Sequence, residues 1–212
     1  IEVCKRHPEL LLVHISTDEV YGDLGDGDPP FTVDSPLRPS SPYAATKAAG
    51  DLLLFAAMRT FHIRVRITRC ANNYGPHQDR TKLLPVIILH ALKDEKIPIY
   101  GEGKQKRDWL YVTDHTDAIE RVVETGEDGA ITLISAQDER ANIDVARLVL
   151  DALGKSHDLI QFVPDRPGHD WRYASDSSSI RALGWKPTVT FAEGICRTVA
   201  WYRQYAQRQA VH

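Results

Sequence analysis

Cysteine is scarce in this sequence and shows no spacing suited to metal binding or disulfide bonding. The 212 residues contain three cysteines, Cys4, Cys70 and Cys196, which lie far apart and are odd in number. Metal sites and disulfide-rich folds use closely spaced cysteine motifs, so the sequence predicts neither a disulfide nor a metal site. Scattered thiols are typical of reduced, cytoplasmic proteins, and we expect that location.

Long apolar runs and an excess of one charge are also absent. No segment approaches the roughly 18 apolar residues needed to cross a bilayer, and the net charge of −3 gives no reason to expect nucleic-acid binding. Hydrophobic residues make up 42% of the chain and charged residues 26%, which is ordinary for a globular protein. We expect one large domain, or one and a half, without membrane or nucleic-acid partners.

Strand and helix patterns alternate along the chain. The apolar run Leu10–Ile15 predicts a strand buried on both faces, and the alternating segment Ile63–Arg69 predicts a second strand. Between them, Ser41-Pro42 is a start signal for a helix from Tyr43 to Thr60. Extended segments are predicted at 97–100, 109–112 and 131–135, and helices at 83–93, 114–125, 143–153 and 191–208. The alternation predicts the α/β class with a parallel sheet.

A hydroxyl and two carboxylates follow the first predicted strand. Thr17, Asp18 and Glu19 stand just past its carboxyl end, where open α/β sheets bind ligands. One carboxylate can stay protonated as an acid while its neighbour is ionised as a base. Adjacent strand residues point to opposite faces, so both carboxylates reach one ligand only if the chain has already turned, which Gly22 makes feasible. The alternative is a plain acidic junction between strand and loop.

Tyr43 and Lys47 share one face of the predicted helix, because positions i and i+4 are neighbours on a helix surface. A nearby ammonium favours phenolate. Lowering the phenol pKa from about 10 by about three units would make Tyr43 a base for a sugar hydroxyl. The alternative is a solvated helix face.

Polar and basic residues occupy the segments that follow. Asn72 and Asn73 come after the second strand, where carboxamides can hydrogen-bond sugar or nicotinamide without adding charge; a simple turn is the alternative. Arginine suits phosphate binding, although scattered cations are also typical of solvated surface. The candidate cationic residues are Lys82, Arg107, Arg166, His169 and Arg172.

Taken together, these segments resemble the dTDP-glucose 4,6-dehydratase family of extended short-chain dehydrogenases. The Tyr43–Lys47 pair alone indicates only the broad superfamily, whereas Thr17-Asp18-Glu19 is more specific. The matching segments occur in the family's order over nearly the whole chain: Ser16–Gly22, Tyr43 with Lys47, Asn72–Pro76, Lys82-Leu83, Pro98–Gly101, Arg107–Val112 and Asp165–Asp170.

The resemblance implies a Rossmann-type parallel sheet with a small α+β substrate domain. Residues 1–75 would be the C-terminal half of an NAD-binding domain. Residues 76–212 would mainly form the nucleotide-sugar domain, with segments that return to the first. The resemblance also implies NAD as the cofactor, dTDP-glucose as the nucleotide-sugar partner, and a homodimer.

The reaction implied by the resemblance has three stages. Tyr43, supported by Lys47, takes the proton from the sugar 4-hydroxyl while hydride passes to NAD, and Thr17 holds the 4-oxygen. Glu19 then removes the C5 proton and Asp18 protonates the departing 6-hydroxyl. Hydride returns to C6, which gives a 4-keto-6-deoxy sugar nucleotide.

The resemblance also assigns binding residues. Ser16, Tyr43, Lys47 and Asn73 would contact the cofactor. The substrate would be bound by Asn72, Lys82, Leu83, Pro98, Ile99, Tyr100, Arg107, Asn142, Asp165, Arg166, His169 and Tyr173.

The sequence departs from the family pattern at several points. It contains no G-x-x-G-x-x-G turn, so we expect the first strands of the NAD-binding half to be missing and the chain alone to be inactive, poorly soluble and weak in NAD binding. Thr81, Ile134–Gln137 and Trp171 also differ from the family and leave the exact nucleotide and sugar open.

Two rival functions remain open. One is a related nucleotide-sugar epimerase or decarboxylase, which Asp18 and Glu19 disfavour because C4 epimerisation needs no elimination pair. The other is a non-catalytic remnant that binds a sugar nucleotide or a partner.

Overall fold

The computed structural model describes residues 1–209 and contains eight strands and seven α-helices in that range. The strands are β1 (Leu11–Thr17), β2 (Arg64–Cys70), β3 (Asn72–Tyr74), β4 (Ile97–Tyr100), β5 (Lys106–Tyr111), β6 (Ile131–Ile134), β7 (Glu139–Ala141) and β8 (Ile160–Val163). The helices are α1 (Glu2–Arg6), α2 (Pro42–Phe61), α3 (Leu83–Leu92), α4 (Val112–Thr125), α5 (Asn142–Leu153), α6 (Ser178–Ala182) and α7 (Phe191–Gln209). Two 3₁₀ turns lie at Asp18–Tyr21 and His157–Leu159.

The first sheet is parallel and has the order β1–β2–β6. This confirms the predicted α/β class. The prediction that β1 is buried on both faces was wrong: in this strand only Ser16 and Thr17 are buried, and Ile15 is 38% exposed. Within the described residues β1 pairs only with β2, so it is an edge strand and one side has no neighbour.

Strand β2 is buried along almost its whole length, including two arginines, which its alternating pattern did not predict. Arg66 donates to Asp128 at 3.0 Å and to the Val122 carbonyl at 2.7 Å, and Arg69 forms a separate ion pair inside the core. Buried charges are tolerated when they are paired and hydrogen-bonded. The strand therefore lies between covered faces despite its polar residues.

The second group of strands forms two small sheets, with the orders β3–β5–β7 and β4–β8. Helices α3, α5 and α7 pack with them around a large apolar cluster that includes Ile87, Trp109, Val149 and Phe191. The predicted helices here are confirmed within a residue or two. Strands β7 and β8 were not predicted because they are short and partly exposed.

The segment after β2 is a strand, β3, where the sequence pattern predicted a break. Its residues pair in parallel with β5, Asn72 opposite Trp109 and Tyr74 opposite Tyr111. Tyr74 is buried among aromatic rings, 6.0 Å from Trp109 and 5.5 Å from Tyr111 between ring centroids. The packing of Tyr74 thus keeps this segment extended, although its residue types favour turns.

Helix α2 begins as predicted. The Ser41 hydroxyl accepts a hydrogen bond from the Ala44 amide at 3.1 Å, and Pro42 occupies the first turn. The helix ends at His62, whose φ of 55° is left-handed. Among residues 1–209, no helix combines the length and apolar character required to cross a membrane.

Asp114 joins helix α4 to the segment before α7. Its buried carboxylate accepts hydrogen bonds from the Thr188 amide at 3.0 Å, the Thr188 hydroxyl at 2.7 Å and the Val189 amide at 3.0 Å.

We expect Asp114→Ala to lower the free energy of unfolding by about 2–4 kcal/mol, because it leaves buried amides without acceptors. Asp117→Ala, at an exposed position of the same helix, is the control and should change stability by less than about 0.5 kcal/mol. Urea unfolding measures both. Equal effects of the two substitutions would contradict this account of Asp114.

Candidate active site

The chain turns directly after β1, so the two adjacent carboxylates leave the strand geometry. The 3₁₀ turn Asp18–Tyr21 is capped by Thr17, whose hydroxyl accepts from the Glu19 amide at 3.3 Å and lies 3.4 Å from Asp18 Oδ1. Gly22 closes the turn with a φ of 93°, and a Cβ there would collide with the Arg38 carbonyl. The turn required by the sequence argument is therefore present.

Asp18 is a buried carboxyl that holds its proton more strongly than an ordinary aspartate. It is 2% exposed. Burial, together with repulsion from Glu19 and Asp108, raises its pKa to about 8, while Arg107 opposes the rise. The next residue, Glu19, is only partly buried. Burial raises the pKa of Glu19 too, but Arg107 and other nearby cations oppose this effect. Two neighbouring carboxyls thus experience different environments.

Tyr43 and Lys47 project from the first turns of α2, beside these carboxyls. Tyr43 is 56% exposed, and its pKa is raised by burial and then by the charges of Glu19 and Asp18. The sequence pattern had predicted a lowered pKa. Lys47 does not offset this rise, and its ammonium donates to the Ile15 carbonyl at the end of β1 at 2.5 Å.

A set of unpartnered polar atoms lines the ends of β1 and β2. The Ser16 hydroxyl and the side-chain carbonyl oxygens of Asn72 and Asn73 are buried without a hydrogen-bond partner. Asn73 donates its amide to Cys70 Sγ at 3.3 Å, which orients the carbonyl oxygen. Buried polar atoms normally find partners. This neutral donor and acceptor set fits the carboxamide and ribose of a nicotinamide nucleotide.

A buried guanidinium borders the carboxyl pair. Arg107 donates to the carbonyls of Asp170 at 2.8 Å and Trp171 at 3.3 Å, and lies 4.4 Å from the centre of the Tyr173 ring. Tyr173 in turn donates its hydroxyl to the Asp170 carboxylate. Burial lowers the pKa of Arg107 despite neighbouring acidic groups. The cation is thereby fixed next to Asp18 and Glu19.

A polar loop forms the outer wall. Asp165 accepts from Gln105 at 2.7 Å and pairs with His169 at 2.6 Å, and the His169 ring packs edge-on against Tyr100. Arg166 is exposed in the same loop, and Lys82 is exposed immediately before α3, which begins at Leu83. Both cations act on Glu19 electrostatically. The loop and the start of α3 therefore face the carboxyl turn.

Three of the predicted substrate contacts, Pro98, Ile99 and Tyr100, lie on β4. Ile99 is 1% exposed and belongs to the apolar core, so its side chain is not brought to the site. Pro98 is half-buried on the same strand. Asn142, another predicted contact, is the first residue of α5. Its backbone amide donates to the Gln105 carbonyl at 3.0 Å, and its side-chain oxygen is buried without a hydrogen-bond partner.

One buried ion pair behind the site was not predicted. Arg69 donates to Asp51 at 2.9 Å and to the Tyr21 hydroxyl at 2.6 Å, and His14 approaches the other oxygen of Asp51 at 3.2 Å. A signal was present in the sequence, because Asp51 lies one turn beyond Lys47 on the same helix face. A second buried acidic residue that was not predicted to have a role is Asp108, whose carboxylate accepts a hydrogen bond from the Ser135 hydroxyl.

The parallel sheet and the polar groups at its strand ends define a Rossmann-type α/β protein of the epimerase and dehydratase class. A sequence model of the family described as GDP-mannose 4,6-dehydratase matches residues 1–198. The chain belongs to this family.

Known relatives include dTDP-glucose 4,6-dehydratases. The protein from Streptomyces niveus is 45% identical over 204 residues, which cover 96% of this chain and 60% of that protein. The crystal structure of the Bacillus anthracis enzyme in complex with NAD has a TM-score of 0.93 and 40% identity, over 97% of this chain and 66% of that one. The Streptomyces venezuelae enzyme with NAD and TYD bound has a TM-score of 0.90 and 43% identity, over 93% and 61%. The chain thus spans about three fifths of the length of the curated relatives it matches.

The raised pKa of Asp18 predicts a stability that depends on pH. A carboxyl whose folded pKa of about 8 lies above its ordinary value of 3.8 stabilises the fold fully below pH 4, and this contribution is lost as the pH rises through 8. Asp18→Asn, which cannot ionise, should therefore match the parent at pH 4. At pH 9 it should be more stable, by at most about 6 kcal/mol.

Thermal unfolding between pH 4 and pH 9 measures this difference. Asp34→Asn is the control, because Asp34 is exposed, and it should change stability little at any pH. If Asp18→Asn is no more stable than the parent at pH 9, the conclusion that burial raises the pKa of Asp18 is wrong.

Proposed function

We propose that the complete protein is a dTDP-glucose 4,6-dehydratase that converts dTDP-glucose to dTDP-4-keto-6-deoxyglucose with NAD as a cofactor. The observation that carries the proposal is the turn after β1, where a buried Asp18 with a raised pKa stands next to a partly exposed Glu19. An elimination of water needs an acid and a base on one substrate. The similarity to dTDP-glucose 4,6-dehydratases over nearly the whole chain supports the same reaction.

The two carboxyls divide the elimination between them. Asp18 holds a proton at neutral pH and delivers it to the departing 6-hydroxyl. Glu19 removes the C5 proton, and its raised pKa makes its carboxylate a stronger base. The Arg107 guanidinium beside both groups stabilises the charge on Glu19 before the proton is taken.

Tyr43 and Thr17 handle the sugar 4-oxygen. Tyr43 takes the proton from the 4-hydroxyl, and Thr17 holds the oxygen through its hydroxyl. Burial and the adjacent carboxyls raise the pKa of Tyr43, and Lys47, one helical turn away, is the cation that would favour its phenolate. NAD, when bound, would supply hydride transfer, with C4 of the sugar as the donor and C6 as the final acceptor.

The unpartnered groups at the strand ends would hold the cofactor and the sugar. Ser16 and Asn73, with Tyr43 and Lys47, would contact the nicotinamide nucleotide, and Asn72 would contact the sugar. The outer wall would bind the nucleotide diphosphate through Lys82, Leu83, Pro98, Tyr100, Arg107, Asn142, Asp165, Arg166, His169 and Tyr173. Ile99 supports this wall from the core.

The wider organisation is also part of the proposal. Residues 1–75 would serve the NAD-binding half and residues 76–212 mainly the nucleotide-sugar half. A homodimer is supported by the outward stripe of α2, where Ala45, Ala49, Leu52, Leu53 and Ala56 are exposed. A cytoplasmic role in deoxysugar biosynthesis suits the unpaired thiols of Cys4, Cys70 and Cys196.

The reaction is tested by incubating the complete gene product with dTDP-glucose and NAD. A 4-keto-6-deoxy product, seen by its absorbance in alkali, is the expected result. GDP-mannose and UDP-glucose serve as parallel substrates and should react more slowly. Products that are only C4 epimers would overturn the proposal.

The role of Glu19 is tested by Glu19→Gln. Because the carboxylate is needed only when the C5 proton leaves, solvent deuterium exchange at C5 should slow by roughly a hundredfold or more. Oxidation at C4, followed by NADH absorbance in a single turnover, should change much less. Glu127→Gln, at an exposed position, is the matched control. Unchanged C5 exchange in the Glu19 variant would exclude it as the base.

A further inference from the structure

A buried charge network connects the three segments that carry the candidate active site. Arg69 is 2% exposed and Asp51 is 0% exposed. The Arg69 guanidinium donates to Asp51 at 2.9 Å and to the Tyr21 hydroxyl at 2.6 Å, and it lies 4.8 Å from the centre of the Tyr21 ring. Strand β2, helix α2 and the turn after β1 are thereby joined through one side chain.

Each partner lies close in the chain to a group of the site. Asp51 is one helical turn beyond Lys47, on the face of α2 that also carries Tyr43. Tyr21 is three residues after Asp18 in a 3₁₀ turn, where side chains at i and i+3 lie on the same side. Arg69 immediately precedes Cys70, which contacts Asn73.

Stability alone gives a weak reason for this network. A buried ion pair can frequently be replaced by apolar residues of similar volume without loss of stability, because desolvation offsets the attraction. The fork of the guanidinium instead fixes two directions at once, one toward α2 and one toward the turn. These two hydrogen bonds of Arg69 set the distance between helix α2 and the turn after β1.

We propose that Tyr21, held by the Arg69–Asp51 pair, is a positioning residue that keeps Asp18 and Glu19 in register with Tyr43. The inference rests on the proposed dehydratase function, since it concerns how the acid and base meet the same sugar. Loss of the Tyr21 hydroxyl removes the buried hydrogen bond that ties the turn to β2 and, through Arg69, to α2. Small displacements of catalytic groups can lower rates by up to about a hundredfold.

The test is Tyr21→Phe in the complete gene product, with Tyr202→Phe as the matched control. Tyr202 is also a buried phenol, and it donates to the Gln78 carbonyl at 2.6 Å. We expect Tyr21→Phe to lower kcat by roughly tenfold to a hundredfold with little change in KM. C5 exchange should slow more than oxidation at C4. The control should retain the parent's kcat.

A second readout follows Asp18 itself. Asp18 faces Glu19 on its own turn, Arg107 and Asp108 on β5, Tyr43 on α2 and Cys70 on β2. Because burial is the main cause of its raised pKa, a loosened turn admits water and lowers that pKa. Carbon-13 NMR of labelled aspartate should show Asp18 titrating at lower pH in Tyr21→Phe than in the parent or the control.

The outcomes separate the two proposals. A parent protein without dehydratase activity refutes the proposed function, while the NMR titration still decides whether Tyr21 positions the turn. An active parent whose Tyr21→Phe variant keeps its kcat and its Asp18 titration overturns the inference. Equal losses in Tyr21→Phe and Tyr202→Phe also overturn it, because they show only a general loss of packing.

Discussion

The parallel pairing of β1 with β2 is the constraint on which the site depends. Its register sets Thr17 opposite Cys70, so both strands end at the same level. The carboxyl-bearing turn and the asparagines of β3 therefore leave the sheet side by side, at the edge where α/β sheets bind ligands. Helix α2 connects the two strands and carries Tyr43 to the same edge. The location of the chemistry thus follows from strand direction.

Differences in burial give two adjacent carboxyls separate properties. Asp18 and Glu19 have similar intrinsic acidities, and they repel one another across one peptide unit. Full burial raises the pKa of Asp18 to about 8, whereas Glu19 is only partly buried and the cations Arg107, Lys82 and Arg166 oppose the rise of its pKa. The positive charge of Arg107 lowers the pKa of both carboxyls. Hydrogen bonds to the carbonyls of Asp170 and Trp171 hold the guanidinium in place.

Much of this arrangement could be predicted from the sequence, and the reasons for the failures are physical. Hydrophobic periodicity and capping signals gave helices α2, α3, α4, α5 and α7 within a residue or two, because those signals are local, but the five-residue helices α1 and α6 were not predicted. The burial of Arg66 and Arg69 could not be predicted from the sequence, because their partners Asp128 and Asp51 are distant along the chain. The spacing of Tyr43 and Lys47 showed their proximity but not the direction of the ammonium, which a strand carbonyl decides. The resemblance to the family could not show whether the side chain of Ile99 lies in the core or contacts a ligand.

The Arg69–Asp51 pair has a consequence for how this sequence can change over generations. A substitution of either partner alone leaves a buried charge uncompensated, and such losses are severe. Replacement of both by apolar residues can restore stability, yet it passes through an intermediate with a single unpaired charge. The two positions are therefore expected to persist together or to be replaced together. In a set of homologous sequences, they should vary as a unit, with Tyr21 tolerating change only where the guanidinium has gone.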